Sequence, residues 1–133
     1  MCMDENKVKE HIEFWLESSS KDLIVMNHLF EKKDYSYSLF FGHLILEKVL
    51  KALFVKKKKN IPPYKHSLPL LVEKIGFEID ENKETFLEEV SDFNIEARYP
   101  DIKFSFYKKC TKEYTEIKIK EIKEFYKWIK SMI

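Results

Sequence analysis

The sequence predicts an all-α protein, a four- to five-helix up-and-down bundle, and three observations carry that reading. Only 2 glycines and 4 prolines occur in 133 residues, too few for a turn-dense β sandwich. Apolar residues recur at steps of three and four over long windows, the spacing of one helix face. One segment, Asp34 to Lys59, is apolar nearly all round, as a central, covered helix is.

The length suits a single domain spanning residues 1–133, with one core that buries roughly 65–70% of the unfolded surface. A composition of 44% hydrophobic, 15% aromatic and 35% charged residues excludes disorder. The net charge of +1 gives no global field to gather nucleic acid or membrane. All basic residues but Arg98 are lysines, which at this balance read as a solvated helix surface. Two cysteines, Cys2 and Cys110, make no disulfide framework. The opening MCMDENKVKE has no apolar signal core. The most apolar run, Leu39 to Leu46, includes His43 and falls far short of the roughly 20 residues that span a bilayer. A cytoplasmic, reduced protein without membrane contact is expected.

The first helix is expected over about Lys7–Lys33, its face built from Val8, Ile12, Trp15, Leu16, Leu23, Met26, Leu29 and Phe30. Ser18, Ser19 and Ser20 interrupt that face, where small side chains let a neighbouring helix come close. Nothing resembling a nucleophile elbow surrounds them. Asp34 is placed to cap the second helix, and the short connection makes the first two helices antiparallel neighbours. Lys56 to Lys59 close that helix before a loop at Pro62 and Pro63. The four lysines suit either a phosphate or the helix macrodipole. Ser67 caps a short third helix that ends at Gly76, and Asp80 caps a fourth running to about Phe93. Asn94 to Lys109, with Pro100 disfavouring helix at Tyr99, is expected as an irregular connector. The last helix covers about Thr111–Met132, with Ile119, Ile122, Phe125, Tyr126, Ile129 and Ile133 on one stripe.

The polar members of the second helix need a separate account. His43, Glu47 and Lys51 follow one another at i,i+4, with Lys48 beside the row. Charges half-buried there must find partners or cost several kcal/mol. They form either a structural pair that snorkels its charges outward or the floor of a polar pocket. His66, just before the third helix, is in reach of that helix's N-terminus or of the row. Arg98 offers a planar five-donor fork suited to a carboxylate or a phosphate. It serves equally as an Arg98–Glu47 bridge or as a ligand contact. No His/Cys/carboxylate cluster has metal-ligand spacing, and no cofactor motif occurs.

Three stretches carry a resemblance. The first is Tyr-x(4–5)-Phe followed by Glu47-Lys48-x-x-Lys51-Ala52-Leu53; the second is Pro-x-x-His66-x-Leu68; the third is Ala97-Arg98-Tyr99-Pro100-Asp101 ahead of a final helix. In this order they resemble the HEPN family (higher eukaryotes and prokaryotes nucleotide-binding) over nearly the whole chain. The resemblance implies an all-helical bundle that pairs as a homodimer. It also implies a small nucleotidyltransferase as partner, in many members within a toxin–antitoxin pair. Many members are metal-independent RNases that use an Arg-x(4–6)-His motif. In this sequence the window after Arg98 holds no histidine, so an acid–base group would have to be His66 or His43. The Arg-Tyr-Pro-Asp form looks like the branch proposed to bind nucleotides or assist a nucleotidyltransferase. On this reading the ligand-binding residues are Glu47, Lys48, Lys51, His66, Arg98, Tyr99 and Asp101. The alternatives are an RNase using Arg98 with His66, and a non-catalytic dimeric interaction module.

Overall fold

The structure, a computed structural model, describes residues 2–133, without the side chains of residues 100 and 101. Asp4 starts α1 (Glu5–Glu31) by accepting the Lys7 amide at 2.9 Å, which satisfies one of the orphan donors of the first turn. Along α1, Met26 is fully buried and Leu16, Leu23 and Phe30 pack against the core. Ser19 behaves as the small residue it is. Its hydroxyl bonds the Leu16 carbonyl at 2.8 Å and meets the Tyr126 hydroxyl of the last helix at 3.1 Å.

A three-residue turn, with Lys33 left-handed, reverses the chain into α2 (Tyr35–Lys58). Asp34 occupies the N-cap position but, contrary to expectation, its side chain makes no capping bond. Its amide instead donates to the Leu29 carbonyl at 2.8 Å, and this tight turn sets its backbone at ψ 67°, away from capping geometry. The second helix is central, as its composition predicts. It lies along α1 and also touches the other four helices. Leu39, Ile45, Leu46, Val49, Leu50 and Leu53 on it are wholly buried, and each such side chain is worth about 1.5–3 kcal/mol. Gly42 admits the last helix: a Cβ there would stand 2.5 Å from Cδ1 of Ile122.

Ser67 caps α3 (Leu68–Ile75) through the Leu70 amide, and Gly76 at φ 94° closes it in the left-handed region that suits glycine. Asp80 caps α4 (Glu81–Glu96), which buries Leu87, Val90 and Phe93. The connector after it is not irregular. Pro100–Lys109 forms a sixth element, α5, with Tyr99 extended before it. The proline that breaks helix at Tyr99 fits the first turn of a new one, since its missing amide would be unpaired there anyway. Little else marked this helix, because among its described side chains only Phe106 is buried, while Ile102, Phe104 and Tyr107 are exposed. Thr111 caps α6 (Lys112–Lys130), whose stripe of Ile119, Ile122, Phe125, Tyr126 and Ile129 closes the core. Trp128, at the stripe's edge, stays partly exposed. The result is an all-α helical bundle of six helices among the described residues, none long and apolar enough to cross a membrane.

Candidate functional site

Helical periodicity puts Phe40, Glu47 and Lys51 on one face of α2, with His43 between them. Glu47, 6% exposed, is the hub. One carboxylate oxygen accepts from Lys51 Nζ at 3.0 Å, and the other accepts from Nδ1 of His66 at 2.9 Å. Nε2 of His43 lies 3.6 Å from the same oxygen. Burial pushes the Glu47 carboxyl up, but the bonds from His66 and Lys51, with the nearby positive charge, outweigh it and leave the pKa lowered. Glu47 is therefore an anion, and an anion can only accept. Nδ1 of His66 must donate, and Nε2 has no protein partner among the described residues on a side chain that is 62% exposed; it accepts in the neutral ring and donates in the imidazolium.

His43 fixes the other half of the arrangement. It is fully buried, and its Nε2 lies 2.8 Å from the His66 carbonyl, which can only accept, so Nε2 carries the hydrogen. Its bare Nδ1 is buried without a partner among the described residues. Burial lowers the pKa of His43. The bond to His66 and the Glu47 charge work against that shift, while the charges of His66 and Arg98 add to it. A neutral His43 thus holds the main chain of His66 while an ionised Glu47 holds its ring. Lys51, also 6% exposed, supplies the counter-charge and lies 5.3 Å from the centre of the Trp15 ring.

Other residues singled out in the sequence lie apart from this hub. Lys48 points to α1, where its Nζ meets Asp22 at 2.6 Å and ties the two helices together. The bridge from Arg98 to Glu47, one of the two readings left open for this arginine, does not form. Both Glu47 oxygens are engaged elsewhere, and the exposed Arg98 guanidinium stacks 5.3 Å from the Phe40 ring. The reason is register: Phe40 precedes Glu47 by two turns, about 10 Å along the axis, and the chain after α4 meets α2 at that level. Arg98 is nonetheless close enough for its charge to act on His43. Tyr99 is 57% exposed, and the Asp101 side chain lies outside the described residues.

Sequence reasoning missed the two aromatic platforms, Phe40 under Arg98 and Trp15 beside Lys51. The seven-residue step from Phe40 to Glu47 was a usable signal for the first. It also missed a groove of about 270 Å³ beside His66, walled by Ser67, Ser91, Asp92 and Asn94. Chemically, the face offers a guanidinium fork at one level and an oriented imidazole with an open nitrogen at the next. Beyond the imidazole, the groove is rich in hydrogen-bond acceptors. No group of three or more His, Cys, Asp or Glu side chains could hold a metal among the described residues.

Comparison with known proteins agrees with this architecture. No curated protein sequence matches the chain. The crystal structure of TT1696 from Thermus thermophilus superposes with a TM-score of 0.79 at 17% identity, covering 92% of this chain and 98% of that one. At that identity the likeness speaks for the fold. The profile of the HEPN domain matches residues 12–132, from the first helix to the end of the last. The chain belongs to the HEPN domain family.

Proposed function

We propose that this HEPN protein binds the phosphate of a nucleotide or nucleic-acid strand on the face formed by Arg98 and His66. The observation that carries the reading is the hydrogen bond from His66 to the buried Glu47. A buried, ionised carboxylate costs several kcal/mol unless it is well paired, and a bundle can be built without one. Here it aims an exposed imidazole, a common mark of a working site. Arg98 supplies a bidentate fork to the phosphate, while His66 in its imidazolium form donates to it from Nε2. Lys51 keeps Glu47 ionised instead of reaching the ligand, and Lys48 has no part. A ribose or base then lies toward the groove at Ser91 and Asn94. The protein acts as a homodimer beside a small nucleotidyltransferase in a toxin–antitoxin-type pair, as the family resemblance suggests.

Calorimetric titration with ATP, GTP and short RNA is expected to show binding that weakens about 10–100-fold in Arg98→Ala, the worth of a charge-assisted bond. No heat with any of the three removes the proposal.

The Glu47–His66 pair also favours a second reading, metal-independent cleavage of RNA. With Nδ1 tied to a carboxylate, Nε2 of His66 is placed to take the proton of a 2′-hydroxyl as that oxygen attacks the adjacent phosphorus. The bond to the 5′-oxygen then breaks to leave a 2′,3′-cyclic phosphate, the departing oxygen takes a proton from water while His66 returns its own to solvent, and Arg98 stabilises the added negative charge. Cleavage that survives chelators and disappears in His66→Ala supports it; cleavage that persists in His66→Ala removes His66 as the base.

A further inference from the structure

Between Glu47 and Glu73 the chain has no acidic residue, yet it carries lysines at 48, 51, 56, 57, 58, 59 and 65. Over the whole chain acids and bases nearly cancel, 23 against 24, so the positive charge is concentrated at the end of α2 and in the loop after it. Several of these lysines are already engaged. Lys48 and Lys51 pair with Asp22 and Glu47, and Lys56 donates to the Ile133 carbonyl at 3.0 Å. Glu5 and Glu13 share a groove with Lys56 and Lys59. Lys57, Lys58 and Lys65 are exposed, and none of them makes an ion pair among the described residues.

Tyr64 stands among them, 95% exposed. A lone exposed apolar side chain is ordinary, but this one sits on a loop fastened at several points. Lys59 at φ 53° caps α2, and its carbonyl accepts the Met3 amide at 2.8 Å. Asn60 Oδ1 accepts the Ile61 amide, Pro62 is buried, and the Lys65 amide donates to the Pro63 carbonyl at 2.9 Å. Two residues beyond Tyr64, His66 is fixed at both its carbonyl and its ring. The ring of Tyr64 is thus held out into water by an ordered loop, with exposed, unpaired lysines before and after it in the sequence and the oriented imidazole next along the chain.

We propose that residues 57–65 form a track for a single-stranded nucleic acid, with Tyr64 stacking on one base while Lys57, Lys58 and Lys65 neutralise neighbouring phosphates. The track leads the strand to His66, and it rests on the reading of Arg98 and His66 as a phosphate site. An aromatic platform flanked by cations is what sequence-tolerant strand binding requires. An anionic membrane fits less well, because only Ile61 and Tyr64 project from the loop as large apolar side chains, too little area to enter a bilayer.

Fluorescence anisotropy with a short labelled single-stranded RNA, beside AMP titrations, tests the track. Tyr64→Ala is expected to weaken strand binding about ten-fold and leave AMP affinity unchanged, while Tyr64→Phe restores the strand affinity. Changing Lys57, Lys58 and Lys65 together to Gln should reduce the slope of log K against log salt by about 2. The proposal is overturned if Tyr64→Ala holds the strand as tightly as the wild type, or if Tyr64→Phe is as weak as Tyr64→Ala. It is equally overturned if the wild type binds the strand no better than AMP, or if Tyr64 matters only on phosphatidylserine vesicles. Failure of the underlying phosphate site reads differently. AMP binding is then absent, or indifferent to Arg98→Ala, and the Tyr64 variants still decide the strand question.

Discussion

Two glutamates in this bundle have the same pKa logic and opposite architecture. Glu47 and Glu89 are each pushed up by burial and brought below the ordinary value by two hydrogen bonds and nearby positive charge. At Glu89 the partners are Lys118 at 2.6 Å and the Tyr114 hydroxyl at 2.5 Å, both on α6, so the cluster bridges α4 and α6. Its charges are satisfied within the bridge: Lys118 also pairs with Glu121, and Tyr114 is held protonated, its pKa raised by burial and by the Glu89 contact. At Glu47 one partner is a turn away on the same helix and the other is a loop histidine whose far edge is open to solvent. One carboxylate joins two helices, whereas the other orients a titratable ring. The proposed site differs from the bridge in that its network ends on a group left free to react.

The sharpest way to break the comparison is to delete each carboxylate. Glu47→Ala leaves Lys51 buried without its counter-charge and is expected to lower stability by about 3–5 kcal/mol. Glu89→Ala, whose side chain is 28% exposed, should lose only about 1 kcal/mol. Equal midpoint shifts in urea unfolding would erase the distinction.

The next effect is the pH dependence of stability. His43 has a lowered folded pKa, so below its ordinary 6.5 the unfolded chain takes up a proton that the fold refuses. Stability is fully present above that value and falls by about 1.4 kcal/mol per pH unit as pH drops toward the lowered one. Glu47, also lowered, adds a second loss as pH falls from its ordinary 4.5 through the folded value. Unfolding of His43→Gln measured between pH 7 and pH 5 should lack the first limb; an unchanged slope would assign it elsewhere.

The smallest effect sharpens the other side. Tyr114→Phe is expected to lose about 0.5 kcal/mol of stability and to leave nucleotide titrations unchanged. A change in affinity would mean that the bridge and the site communicate.

What could be read from the sequence follows from how local each feature is. The caps at Ser67 and Asp80 depend on a side chain and an amide three residues away, and both bonds form, whereas the cap expected at Asp34 gives way to a backbone turn. The centrality of α2 follows from its own composition. The row of His43, Glu47 and Lys51 needs only helical spacing. Helix α5 was hidden because Pro100 marks a stop and a start alike, and because one buried phenylalanine gives no periodic stripe. The meeting of Arg98 with Phe40 instead of Glu47 depends on how far α4 carries the chain before it turns back. That length is set by packing between distant segments, and no nearby residue states it.

The attachment of His66 has a mechanical consequence. Its main chain hangs from one residue of α2 and its ring from another, one helical turn along. A side chain suspended at two points from a single rod has no hinge of its own. When the rod tilts or slides, the imidazole is carried with it, so the position of that nitrogen reports the position of α2.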